Sequence, residues 1–379
     1  MFSVFLLSRL LFLVAGALAA ALLPWAKPGG FPLEPPGFLN YWAHWDGAWY
    51  SEIATKGYGA RAPASTAFFP VYPMLVRLGA SLGGGPALWG VLISLVATLF
   101  TFYFLYRIAE RLRDVRAART TVLAIAFFPT AFYLNAVYTE ALFLAFSTGC
   151  VWAVYVRRDL LLAGILGALA AATRNVGVLL VLPLLYEWYR NRREFGQKGL
   201  LEIGVVPVGL AAYIVFLAGR FGNPLIFANE QSAYWNRSLT NPATALNMAW
   251  RAAGIGVKYL LDPAALFLGR PAAPALLASN TLNPAVLVLF LLLVGVSFAV
   301  LPPGLSIYAF IITLVPVLSP SPSFPLLGFP RYLLAAFPLF IALGYLLSRS
   351  RTALVLWLVV SIVLGVALTA LFTTWRFVA

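Results

Sequence analysis

The chain has 379 residues, of which 62% are hydrophobic and 10% charged, and its formal net charge is +14; soluble domains run at about 45–50% apolar and about 25% charged. A single hydrophobic core stops growing beyond roughly 250–300 residues, so this much apolar surface cannot be hidden from water, and both a soluble globule and a disordered chain are excluded. The 26 Lys and Arg residues lie between apolar runs, without a polar domain carrying a basic stripe, which argues against a nucleic-acid partner and for loops facing an anionic membrane leaflet.

A spanning helix needs about 20 mostly apolar residues. Taken in chain order, eleven spans are predicted near 3–25, 86–106, 119–134, 139–156, 160–173, 176–189, 200–218, 283–301, 305–318, 331–347 and 352–373. The first lacks a basic stretch ahead of its apolar run and is interrupted by Arg9, which suits a retained span better than a cleaved signal peptide. With the N-terminus in the cytoplasm, Arg107, Arg111, Arg113, Arg116, Arg119, Arg157, Arg158, Arg190, Arg192, Arg193, Lys198, Arg349 and Arg351 all fall on short inner connections, as the positive-inside rule requires. Two long loops, 26–85 and 219–282, then face outward, and residues 1–379 are expected to form a single integral membrane domain.

Within the first outer loop, Trp42, Trp45, Trp49 and Ile53 recur at helical spacing, predicting a helix that lies in the membrane interface. Asp46 sits among these indoles and Trp25. A carboxylate near hydrocarbon costs a few kcal/mol, so two readings stand side by side: a cap on the helix beginning at Gly47, or a general base that takes a proton from an attacking hydroxyl. His44, the only histidine, is a second candidate base. Phe68-Phe69-Pro70-Val71-Tyr72-Pro73 cannot be a regular helix interior; it reads as a rigid surface turn that can also wall a lipid chain.

Trp45-Asp46-Gly47, followed by Trp49-Tyr50, Ile53-Ala54, Gly57-Tyr58 and Phe68 to Pro73, resembles the PIG-V family of membrane mannosyltransferases and its prokaryotic relatives. The similarity continues in order through Phe127-Phe128-Pro129, Tyr138-Thr139-Glu140, Thr173-Arg174 with Gly177, Gly222-Asn223-Pro224-Leu225 with Phe227, Gln231 and Trp235, and Pro330-Arg331-Tyr332 with Phe337-Pro338. The family commonly has Ser at the position of Thr139. The resemblance implies a GT-C glycosyltransferase: an all-α polytopic bundle of about 11 transmembrane helices, with interfacial helices on its two outer loops. It further implies transfer of a hexose, typically mannose, from a polyprenyl-phosphate carrier on the non-cytoplasmic face, with Asp46 at the position of the catalytic base. A bacterial or archaeal plasma membrane is the expected location, and a lipid-linked or envelope glycan the expected acceptor.

The topology drawn from the basic loops puts Asp46, Glu140, Arg174, Gln231 and Arg331 at or near the outer face, as a site built from loops needs. Glu140 opens a span, where its charge also suits the helix dipole. Arg331 follows Pro330 at the start of another, where a cation is mildly disfavoured unless an anion is near. Arg174 and Arg331, with Arg237 in reserve, are therefore candidates for the carrier phosphate. Gln231 and Trp235, four apart on one helical face, are candidates to meet a sugar, as are His44 and Trp45. No Asp-x-Asp pair and no phosphate-loop motif occur, which disfavours a nucleotide-sugar donor and ATP hydrolysis. Cys and His are too scarce for zinc, so neither metal nor cofactor is expected. The rival readings are a transporter or lipid flippase without chemistry and a noncatalytic assembly subunit. A transporter would place polar groups at the bilayer midplane and usually carry an inverted repeat.

Overall fold

The structure is a computed structural model that describes residues 1–26, 39–269 and 273–378; parts of both long loops, 27–38 and 270–272, and Ala379 lie outside the described residues. Every regular element among the described residues is helical. The chain opens with α1 (Phe2–Leu22), and the first outer loop carries α2 (Asp46–Lys56) and α3 (Val71–Ala80). The bundle continues through α4 (Pro86–Leu112), α5 (Val115–Ala126), α6 (Glu140–Trp152) and α7 (Leu160–Thr173). Next come α8 (Val181–Arg190), the short α9 (Arg192–Phe195) and α10 (Lys198–Ile203), and α11 (Val208–Phe221). The second outer loop holds α12 (Ile226–Ala233), α13 (Pro242–Leu260) and α14 (Pro263–Phe267). The chain closes with α15 (Ala273–Val300), α16 (Pro303–Val317), α17 (Phe329–Tyr332), α18 (Phe337–Leu347) and α19 (Arg351–Thr373).

Among the described residues, five stretches are helical, long and apolar enough to cross a bilayer: α1, α4, Glu140–Arg157, α15 and α19. Two bent pairs, α11 with α12 at 78° and Phe329–Ala335 with α18 at 86°, bring that to seven, and α7 and α16 are shorter apolar helices. The spans expected at 119–134 and 176–189 are not continuous. In the first, α5 stops at Ala126 ahead of Pro129, which has no N–H to continue the ladder and restricts the residue before it. In the second, a 3-10 turn over Asn175–Leu180 precedes α8. The second outer loop is more helical than expected, with α13 packed along α15, where Thr281 donates to the Ala253 carbonyl at 2.8 Å.

The segment between α5 and α6 determines where the site lies. Apart from Pro129, residues 127–139 are all buried, although their backbone is irregular, which membrane depth tolerates only when protein groups satisfy the peptide bonds. Arg9 does much of this: its guanidinium donates to the carbonyls of Ala126 and Ala131 at 2.8 Å and to Asn135 Oδ1 at 2.9 Å. From α4, Ser94 and Thr98 donate to the carbonyls of Ala136 and Leu134, and Thr130 donates to Pro330 at 3.0 Å. The cation that interrupts the first apolar run thus anchors the loop that delivers Tyr133, Tyr138 and Glu140.

The indole helix of the first outer loop also departs from expectation. Trp42 lies on a separate 3-10 turn, Asn40–Ala43, and Trp45 has φ 57°, which ends any continuous helix from 42 to 53. Left-handed backbone at a bulky residue is an outlier sustained only by its surroundings. Here Trp45 packs edge-on against Trp375 and Phe377. The face of α2 carrying Trp49 and Ile53 is buried within the protein.

The basic connections meet one another away from this region. Arg158 pairs with Glu187 and with Glu194, both at 2.6 Å, and Arg113 and Arg349 share the Tyr345 ring.

Candidate active site

Asp46 is the first residue of α2, yet its side chain makes no capping bond to that helix. The carboxylate instead accepts from Arg331 Nη1 through Oδ2 at 2.6 Å, and its backbone N–H donates to the Tyr138 hydroxyl at 3.2 Å. The apolar indole surroundings expected for this acid are therefore replaced by an ion pair, and the capping reading by a long-range contact. Glu140 opens α6 as expected, with its Oε1 2.9 Å from Arg174 Nη1 and 3.4 Å from Arg331 Nε. Arg174 reaches it because the 3-10 turn after α7 folds back tightly: a Cβ on Gly177 would collide with the Ala170 and Ala171 backbone.

These groups form one chain of alternating charge, Asp46–Arg331–Glu140–Arg174. Arg331 and Glu140 are 5% and 3% exposed, whereas Asp46 keeps 23% of its side chain open. A buried ion pair gains only if its remaining donors and acceptors are met, and aromatic rings supply part of this here. Arg331 lies over Tyr133, Tyr138 and Tyr332, and the Tyr332 ring also meets Arg174 at 5.2 Å and Arg237 at 5.5 Å. Three guanidinium groups thus gather around one ring, a favourable use of its quadrupole.

Arg237 arrives by a local turn. Asn236 adopts φ 54°, a conformation Asn tolerates better than most residues, and the Arg237 N–H then bonds back to the Gln231 carbonyl at 3.0 Å. Its Nη2 donates to Leu327 O at 2.7 Å, and among the described residues no carboxylate comes within ion-pair distance of it. The two carboxylates and two arginines of the chain balance, so Arg237 leaves the site one positive charge in excess.

Asp46, Glu140, Arg174, Gln231, Trp235, Arg237 and Arg331 all line one cavity of about 690 Å³. Phe68 and Phe69 line it together with Phe227, which packs edge-on against Phe69, and Ile312, Val315 and Pro316 of α16 also line it. Val315 and Leu239 line the cavity and are exposed apolar residues, so the cavity is open where they stand, Val315 on α16 and Leu239 on the second outer loop. Gln231 is on α12 as expected, but Trp235 lies just beyond the helix end and packs on Phe68 and Trp49.

His44 and Trp45 are not among the lining residues. His44 is 4% exposed, stacks on Trp375 with ring centroids 3.8 Å apart, and has Nδ1 3.2 Å from the Phe372 carbonyl. Burial pushes its pKa down to about 3, so it is a neutral packing residue rather than a base facing the cavity.

The lining also includes Tyr138, Tyr332 and Phe377, to which the sequence reading gave no role of their own. Tyr138 and Tyr332 neighbour Glu140 and Arg331 in the chain, which was a usable signal. Phe377 carried none: it is brought in by Arg376, which is buried and donates to the Pro24 and Gly269 carbonyls.

This bundle has the GT-C fold of membrane glycosyltransferases. It superimposes on ArnT from Cupriavidus metallidurans bound to undecaprenyl phosphate with a TM-score of 0.51 at 16% identity, covering 89% of this chain and 59% of that one. The apo form of the same protein gives 0.51 at 17% identity, covering 91% and 59%. The chain therefore spans 59% of the length of either ArnT structure. The oligosaccharyltransferase of Archaeoglobus fulgidus, in complex with zinc and sulfate, gives 0.44 at 13% identity, covering 98% and 53%. In sequence, residues 64–218 match the family model of dolichyl-phosphate-mannose-protein mannosyltransferase. That stretch contains Glu140 and Arg174 but not Asp46, Gln231, Trp235, Arg237 or Arg331. No curated protein matches the chain.

Proposed function

We propose that the protein is an integral membrane glycosyltransferase that moves a hexose, mannose in the first instance, from a polyprenyl-phosphate carrier to a hydroxyl of a lipid-linked or envelope glycan. The observation that carries this reading is Arg237, without a carboxylate partner among the described residues, in a cavity that also holds Arg174 and Asp46 and is lined by exposed apolar residues. A sugar–phosphate–isoprenoid diester meets all three conditions: its single anionic charge offsets the excess charge, its tail leaves through the opening at Val315, and its sugar comes to rest near Asp46. The PIG-V motifs and the mannosyltransferase-type family match support the choice of sugar and carrier. The basic short connections support an extracytoplasmic site.

In the reaction, the acceptor oxygen attacks the anomeric carbon and passes its proton to the Asp46 carboxylate. The bond between that carbon and the phosphate oxygen breaks, its electron pair leaving on the phosphate, where Arg237 and Arg174 meet the developing charge. Direct displacement inverts the anomeric configuration. Gln231 and Trp235 border the space left for the sugar.

The test is transfer of radiolabelled mannose from polyprenyl-phosphate mannose to a glycolipid extract by the purified protein. Formation of a new glycosidic bond is expected, with Asp46→Asn reducing it by at least about a hundredfold, the usual scale of general-base catalysis. Near-normal transfer by a folded Asp46→Asn protein removes Asp46 from the mechanism, and label that crosses a vesicle membrane without a new bond supports a flippase instead.

A further inference from the structure

Two polar atoms at the centre of the charged chain are shielded from solvent and make no hydrogen bond: Oε2 of Glu140 and Nε of Arg331. Such groups cost about 1–3 kcal/mol each when left unsatisfied, and a native site that keeps them calls for an explanation. They belong to the two residues that already approach to 3.4 Å through Oε1. A modest swing of Arg331 toward Glu140 would pair both atoms in a side-on, two-bond arrangement, the strongest form of guanidinium–carboxylate contact. Three commitments stand against it. Glu140 Oε1 is held by Arg174 at 2.9 Å, Arg331 Nη1 is held by Asp46 at 2.6 Å, and Arg331 Nη2 donates to the Tyr332 hydroxyl at 3.1 Å.

We propose that Glu140 is a positioning residue that exchanges one arginine for another when the donor binds, and thereby uncovers Asp46. The proposal rests on the carrier-phosphate reading above. A phosphate between Arg237 and Arg174 draws Arg174 away from Glu140. Glu140, left with only the 3.4 Å contact to Arg331, is then strongly biased to draw Arg331 closer, which satisfies both orphaned atoms and releases Asp46 Oδ2. The Oδ2 atom of the carboxylate that must accept the acceptor's proton is thus engaged by Arg331 while the cavity is empty and released once the donor is seated, so the donor binds before the acceptor. The Tyr332 ring, which faces all three guanidinium groups, gives them a common surface along which to shift.

The exchange makes Asp46 and Glu140 energetically coupled through Arg331 in the binding of phosphate, which a purely structural pair would not be. The probe is undecaprenyl phosphate, with affinity measured by native mass spectrometry on the full chain for the wild type, Asp46→Asn, Glu140→Gln and the double variant. With Glu140 present, Asp46→Asn lets Arg331 turn to Glu140 and loosens Arg174, so binding should tighten by about fivefold or more, the lower end of typical coupling between sites. In the Glu140→Gln background, the same substitution at Asp46 should change affinity little. Equal tightening in both backgrounds reports only a weaker negative field and overturns the exchange, as does no change in either.

Should Glu140→Gln not fold, the wild-type structure with undecaprenyl phosphate decides. Arg331 is expected on Glu140 and apart from Asp46, and an intact Asp46–Arg331 pair overturns the proposal. Failure of the wild type and Asp46→Asn alike to bind the phosphate overturns the carrier reading, and the exchange with it.

Discussion

A carboxylate at the start of a helix ordinarily accepts that helix's free amides, and Asp46 does not; its partner is a guanidinium from the far end of the chain. At the same scale His44 shows what a lone titratable group does when nothing charged faces it. Burial holds its folded pKa near 3, against an ordinary value of 6.5. Between these values the unfolded chain binds a proton that the native protein refuses, so His44 favours the native state fully above about pH 6.5 and loses that contribution as the pH falls. Denaturation in detergent should therefore show the wild type losing stability below pH 6.5 by up to about 1.4 kcal/mol per pH unit relative to His44→Phe. A difference independent of pH would show that the imidazole titrates freely in the fold.

Among elements, the irregular segment from 127 to 139 has the greatest consequence, because its burial makes it depend on donors from α1 and α4. Arg9→Met removes the donor to two carbonyls and to Asn135 at once. It should destabilise the protein by about 3 kcal/mol, the cost of a few buried acceptors left unmet, read as a lowered midpoint of unfolding in detergent. The same segment marks the limit of what the sequence reveals. The helices α1, α4, α15 and α19 are visible from apolar length alone, and Glu140 is visible as an acid opening a span. A helix that stops at Ala126 is not, because the aromatic residues after it are as apolar as a span. Nor is a turn at Trp45, where only the surrounding rings sustain positive φ. Arg237 ranked below Arg174 and Arg331 on sequence grounds. What distinguishes it is the absence of a carboxylate partner among the described residues, a property of the assembled site rather than of any local motif.

For the molecule as a whole, sidedness is the property that most directly tests the charge pattern. Lys56 and Arg193 are both exposed, on the first outer loop and on one of the basic connections, and the single native thiol, Cys150, is buried. In intact cells, Lys56→Cys should react with a membrane-impermeant maleimide while Arg193→Cys should react only after lysis; the opposite pattern would put the cavity on the cytoplasmic side. Finally, the contact between Asp46 and Arg331 joins residues 285 positions apart, and that distance bears on biogenesis. As the polypeptide is threaded into the bilayer from its N-terminus, both acids of the pocket are inserted long before the arginine that lies between them has been synthesised. Until α17 emerges from the ribosome these carboxylates lack that counterion, so the emerging pocket must be kept wet, protonated or chaperoned, and late docking of α17 becomes the step that commits the protein to its native state.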